Sequence, residues 1–126
     1  MQLIDLSVPI NELMPVYPGD PKTKIKPAGS FHKDGYVDHS LSIGTHAGTH
    51  IDAPMHMLEH GKGLDQFPLE QFTGRGVLIN VTDKPFTLAT VQAVAIAEGD
   101  IVFFHTGKSD VFAKPEYFID YAAIPE

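Results

Sequence analysis

One run of thirteen residues limits how this chain can fold more than any other: Gly44-Thr-His-Ala-Gly-Thr-His-Ile-Asp-Ala-Pro-Met-His56. It sets His46, His50, Asp52 and His56 in the order His-x3-His-x-Asp-x3-His. A helix is disfavoured, because Gly44, Gly48 and Pro54 all oppose one. An extended strand places all four residues on one face, since every position is even. Yet an extended chain rises about 3.3 Å per residue, which would hold His46 and His50 about 13 Å apart. Two ligands each about 2 Å from one metal cannot span that distance. For the side chains to converge, the segment has to bend. Gly48 lies between the two histidines and is free to take backbone angles that other residues avoid, and Gly44 and Pro54 frame the turn. Imidazole nitrogens and a carboxylate are good ligands for zinc and its neighbours. The segment is predicted to be a bent, metal-binding stretch at the end of a strand.

Composition narrows the remaining choices. At 126 residues the chain suits a single domain, residues 1–126, able to bury a modest core. The formal net charge is −7 and no basic run is present, so the footprint that nucleic-acid binding requires is missing. The absence of Cys excludes disulfides, thiolate zinc sites and cysteine nucleophiles. No apolar stretch approaches the roughly 20 residues of a membrane span, and the amino-terminal residues lack a signal-peptide pattern. The expected partner is a small-molecule substrate, with neither nucleic acid nor membrane, and the expected location is the cytoplasm. His32, His39, His60 and His105 are isolated and read as surface or hydrogen-bonded residues.

The punctuation of the chain predicts strands with long loops. Leu3 to Val8 reads as a strand stopped by Pro9. Met14 to Pro21 holds three Pro and one Gly in eight residues and reads as a stiff loop carrying Tyr17. Thr23 to Pro27 fits a brief edge strand, Lys33 to Gly35 a turn, and Tyr36 to Ile43 a strand leading into the histidine cluster. Gly61 to Gly63 and Pro68 mark a loop. Gly76 to Val81 and Ile101 to Phe104 are apolar runs suited to buried strands needing cover on both faces. Thr87 to Ala97 predicts a short helix capped by Thr87, with Leu88, Val91 and Ala95 on one face. Glu98 to Asp100 is a turn, and the tail from Lys108 is irregular. The expected class is α/β, a mixed β-sheet with few helices.

The segment from His46 to His56 resembles the signature of the cyclase family of metal hydrolases, which includes bacterial kynurenine formamidase. That signature, His-x-Gly-Thr-His-x-Asp-x-Pro-x-His, is filled here at every fixed position. Asp5-Leu-Ser-Val-Pro9, Val16-Tyr-Pro-Gly-Asp-Pro21 and Phe104-His-Thr-Gly107 are similar to further family segments, so the resemblance covers essentially the whole chain. It implies a swivelling β/α/β-type fold. It also implies His46, His50 and Asp52 as metal ligands, with Asp52 bridging when two metals are bound. His56 becomes the catalytic acid/base. Tyr17 falls where an aromatic residue, often Trp, contacts substrate.

The chemistry so implied is metal-assisted hydrolysis of an amide (formamide) or related acyl bond. The metal would be zinc, with manganese as the alternative. The leading reaction is N-formylkynurenine to kynurenine plus formate. Action on another cyclic amide or lactone, or a catalytically silent metal-binding domain, are the alternatives. Family members are longer and add a further metal-binding His and Glu from their C-terminal part. The chain is therefore expected to be C-terminally incomplete relative to the family, to bind at most one metal per subunit, weakly, and to have little formamidase activity by itself. It is also expected to form a homo-oligomer, most simply a homodimer, to cover apolar surface.

Overall fold

The computed structural model describes residues 4–82 and 85–119. The chain is of mixed α/β class, with few helices and two small sheets among the described residues. It divides after Asp52 into two compact units.

In the first unit, β1 (Lys24–Gly29) pairs antiparallel with β2 (Asp38–Ser42), in register from Lys24 opposite Ser42 to Gly29 opposite Asp38. The pairing slips between Pro27 and Gly29. Proline offers no N–H to a ladder and is tolerated at an edge or bulge. On the other edge of β1, Ile25 N donates to Glu12 Oε1 at 2.9 Å. The strands are joined by α1 (Phe31–Asp34), a single helical turn that ends on Gly35 in the left-handed region at φ 78°. Both expected strands and the turn at Lys33–Gly35 are thus present.

The strand expected over Leu3–Val8 is not. Leu3 lies outside the described residues, and residues 4–8 have no strand. An account of the donors explains why. Ser7 gives its N–H and its hydroxyl to Asp5 Oδ1, at 2.9 and 2.6 Å. Val8 N donates to Thr49 Oγ1, and Pro9 has no N–H. Ser7 and Val8 therefore have no N–H left for a ladder.

In the second unit, β3 (Gly76–Asn80) and β4 (Ile101–His105) run parallel, with Gly76 opposite Ile101 and Asn80 opposite His105. Parallel neighbours need a crossover, and this one carries α2 (Leu88–Gln92). Thr87 caps the helix as its residue type predicts: its Oγ1 accepts from Thr90 N at 3.3 Å. The helix is shorter than expected, and Ala95 lies beyond it, so the face shared with Leu88 and Val91 does not form. Past the helix the chain is tied to Asp100 and Arg75 instead. The Asp100 carboxylate takes the Ala97 N–H at 2.7 Å, and Arg75, its ion-pair partner, reaches the Ala95 carbonyl at 3.5 Å. The β3 run also alternates rather than being buried throughout. Val77, Ile79 and Val81 form the core of this unit, while Leu78 is 68% exposed. Behind β4, Phe104 packs on Phe86 with ring centroids 4.5 Å apart.

Arg75 and Asp100 form a two-pronged ion pair, Nε to Oδ1 at 2.9 Å and Nη2 to Oδ2 at 2.6 Å. The guanidinium hydrogen bond, then the Ala97 N–H, hold the Asp100 carboxyl down at about 2, against an ordinary value of 3.8. The folded state therefore binds this proton less readily than the unfolded chain does. The stabilisation is complete above the ordinary value and disappears as pH falls from 3.8 through about 2. Urea unfolding across that window should show stability falling with pH, and Asp100→Asn should remove this part of the slope while lowering stability at neutral pH. An unchanged slope in the variant would show that the pair does not couple folding to pH.

Among the described residues no helix is long and apolar enough to cross a membrane.

Candidate metal centre

After β2 ends at Ser42 the chain turns through residues 45–49. The bend expected at Gly48 is there, with φ at 67°, a region that strains any residue with a Cβ. The site is also close-packed: a Cβ on Gly48 would stand 2.7 Å from Met14 Sδ and 3.3 Å from Val8 Cγ2. Ala47 and Met14 are among the few buried apolar residues of this unit. Both conformation and space thus call for glycine.

The bend brings His46, His50 and Asp52 together. His50 Nδ1 lies 2.8 Å from the Gly48 carbonyl oxygen. A carbonyl only accepts, so Nδ1 carries the proton and Nε2 presents its lone pair. That Nε2 is 3.0 Å from His46 Nδ1 and 3.2 Å from Asp52 Oδ1. His46 Nδ1 and Asp52 Oδ1 are also 3.2 Å apart. A tetrahedral zinc with bonds of about 2.0–2.1 Å keeps its ligand atoms roughly 3.3 Å from one another, so the triangle fits the ion with little adjustment. The donor chemistry agrees. The His50 lone pair faces a carboxylate oxygen, two acceptors in contact, and a cation between them turns that repulsion into coordination. Ring N–H to backbone carbonyl is moreover the usual way a ligating histidine is oriented. The three side chains are 27%, 30% and 56% exposed, which leaves room for a water or substrate beside the ion, as catalytic zinc sites require. Among the described residues they form the one group of three such donors within reach of a common ion.

His56 and Tyr17, the other residues singled out, occupy turns. His56 closes the turn Pro54–His56 at the start of the second unit, is exposed, and donates its N–H to the Ala53 carbonyl at 2.9 Å. Tyr17 lies in the proline-rich loop of the first unit, where Asp20 N closes a turn on its carbonyl at 2.9 Å, and its side chain is largely exposed.

Two supporting residues escaped the reading of the sequence. One is Gly61, which in the sequence marks only a loop. A Cβ there would stand 2.4 Å from the Pro54 carbonyl carbon and 2.5 Å from Met55 N, so the turn that ends in His56 closes only over a glycine. The other is Thr49, which accepts from Val8 N at 2.9 Å. A signal for it was present: Gly-Thr-His occurs twice, at residues 44–46 and 48–50.

Comparison with known proteins agrees with this geometry. A family model described as "Putative cyclase" matches residues 4–125. The kynurenine formamidase of Salinibacter ruber is 34% identical over 83 residues, which cover 64% of this chain and 39% of that protein. The kynurenine formamidase of Geobacillus thermodenitrificans is 28% identical over 106 residues, covering 82% and 51%. The chain thus spans about half or less of the length of these relatives. Among solved structures, a potential metal-dependent hydrolase with cyclase activity superposes with a TM-score of 0.69 at 32% identity, over 91% of this chain and 55% of that one. An isatin hydrolase bound to the product analogue thioisatinate gives 0.74 at 20% identity, over 94% and 55%, a likeness of fold. Matched by the family model from residue 4 to residue 125, the chain belongs to the Cyclase family.

Proposed function

We propose that the protein is a metal-dependent hydrolase of an amide or related acyl bond, with N-formylkynurenine to kynurenine plus formate as the leading reaction. The observation that carries the reading is the convergence of His46 Nδ1, His50 Nε2 and Asp52 Oδ1 at 3.0–3.2 Å. The kynurenine formamidase relatives and the metal-dependent hydrolase neighbour support it.

A divalent cation held by these residues, zinc or alternatively manganese, would supply the acidity that makes water nucleophilic near neutral pH and positive charge against a developing oxyanion. The chain's own residues do the rest. His50, its tautomer set by the Gly48 carbonyl, presents a lone pair. Asp52 adds the negative charge that two neutral imidazoles lack. In this reading His56 carries the proton to the leaving nitrogen, a task that suits imidazole at neutral pH, and Tyr17 contacts the substrate. Three protein ligands account for one ion per chain. A homodimer is part of the same proposal: Leu78 and Phe103, opposite one another on the exposed face of a parallel pair, belong to a kind of sheet ordinarily covered on both sides.

Formate release from N-formylkynurenine and from formanilide, with added zinc or manganese and with the ion chelated, tests the reading. The assay is run on the longest natural form of the protein as well as on this chain. Metal-dependent release is the expected result, and no release from either form under any metal would overturn it.

A further inference from the structure

The bend that carries the histidines is held at a point outside the ligand set. Thr49 Oγ1 accepts a hydrogen bond from Val8 N at 2.9 Å, across 41 residues of chain. The same stretch presses on the bend from beside it, since Val8 Cγ2 and Met14 Sδ close the space over Gly48. Thr49 stands between two parts of the ligand geometry. The Gly48 carbonyl that orients the His50 ring belongs to the peptide joining Gly48 to Thr49, and His50 itself is the next residue. If that peptide rotates, the carbonyl leaves Nδ1 and the Nε2 lone pair turns out of the triangle. Glycine at 48 makes the rotation easy, because a residue without Cβ resists it least. Something beyond residue 48 has to hold the plane.

On the reading of the triangle as a metal centre, we propose that Thr49 is a positioning residue for it. Its hydroxyl, tied to the Val8 N–H, fixes the 48–50 backbone so that the Gly48 carbonyl keeps His50 aimed at the ion. Val8 joins the tie through its backbone N–H, which every residue but proline carries, whereas residue 49 must bring a hydroxyl.

The test titrates Co2+ alone into the full chain and reads affinity together with the visible absorption of the bound ion, for the parent, Thr49→Val, Thr49→Ser and His50→Ala. Valine keeps the shape and removes the acceptor. It should weaken Co2+ about 10- to 100-fold, the range that loss of an outer-shell partner produces, and alter the absorption bands. Serine should restore both. A valine variant that binds as the parent does, with the same spectrum, would overturn the inference. So would a serine variant as weak as valine, because the methyl group rather than the hydroxyl would then be responsible. Should Thr49→Val fail to fold, the parent protein still decides. The coupling is reciprocal, so saturating Zn2+ should slow hydrogen exchange at the Val8 amide, and unchanged exchange there would refute the tie. Equal Co2+ uptake by the parent and His50→Ala would instead remove the metal-centre reading itself, a result distinct from either of these.

Discussion

Replacing His50 by alanine should abolish stoichiometric metal binding and, with it, hydrolysis. The substitution removes one corner of a triangle whose edges are 3.0–3.2 Å, leaving one imidazole and one carboxylate. The ring is part-exposed and its hydrogen bonds are made within the bend, so the fold should survive its loss. The variant thus separates ligation from stability. The fall in affinity should exceed the roughly 100-fold that marks the upper range for an outer-shell partner, because a direct ligand is lost. Zinc content after dialysis, with calorimetric titration of both proteins, measures it. Parent-like affinity in a folded variant would mean that any bound metal is held elsewhere.

His56→Ala should behave in the opposite way. The proposed role of His56 is proton transfer rather than ligation, so the variant should keep the parent's metal content while kcat falls about 10²- to 10⁴-fold, the usual contribution of general acid–base catalysis. The effect should be read in the longest natural form, with N-formylkynurenine at saturation and metal content measured on the same sample. Turnover at the parent rate would remove the assignment. Loss of metal together with turnover would move His56 into the ligand set. Comparing the two variants is more informative than either alone, because one should lose metal and the other only rate.

Several elements were legible from the residues because their causes are local. Gly48 was expected to bend the chain between two histidines, and its φ of 67° does so. Strand rise, ligand reach and the freedom of glycine suffice to place the bend. Thr87 was expected to cap a helix, and its Oγ1 receives the Thr90 N–H three residues on. The turn at Gly35 and the strands at residues 24–29, 38–42, 76–80 and 101–105 follow from punctuation and apolar runs of the same short range, whereas their pairing is decided by the fold.

The misses share a different cause. Residues 4–8 look like a strand, yet the Val8 N–H goes to a hydroxyl 41 positions away. Residues 93–97 look like the continuation of a helix, yet Asp100, paired with Arg75 across 25 positions, takes the Ala97 N–H. Leu78 looks as buried as its neighbours, yet only one face of its strand is packed. By itself the sequence determined which donors are brought together, the place of the bend and the family. Tertiary structure decided which lone pair His50 presents, what anchors the bend, what holds residues 95–97 and which strand face is covered. The division follows from the physics of the backbone. Turn and cap preferences act within a few residues and can be read from them, whereas the partner of a backbone donor is chosen among every acceptor that folding brings near.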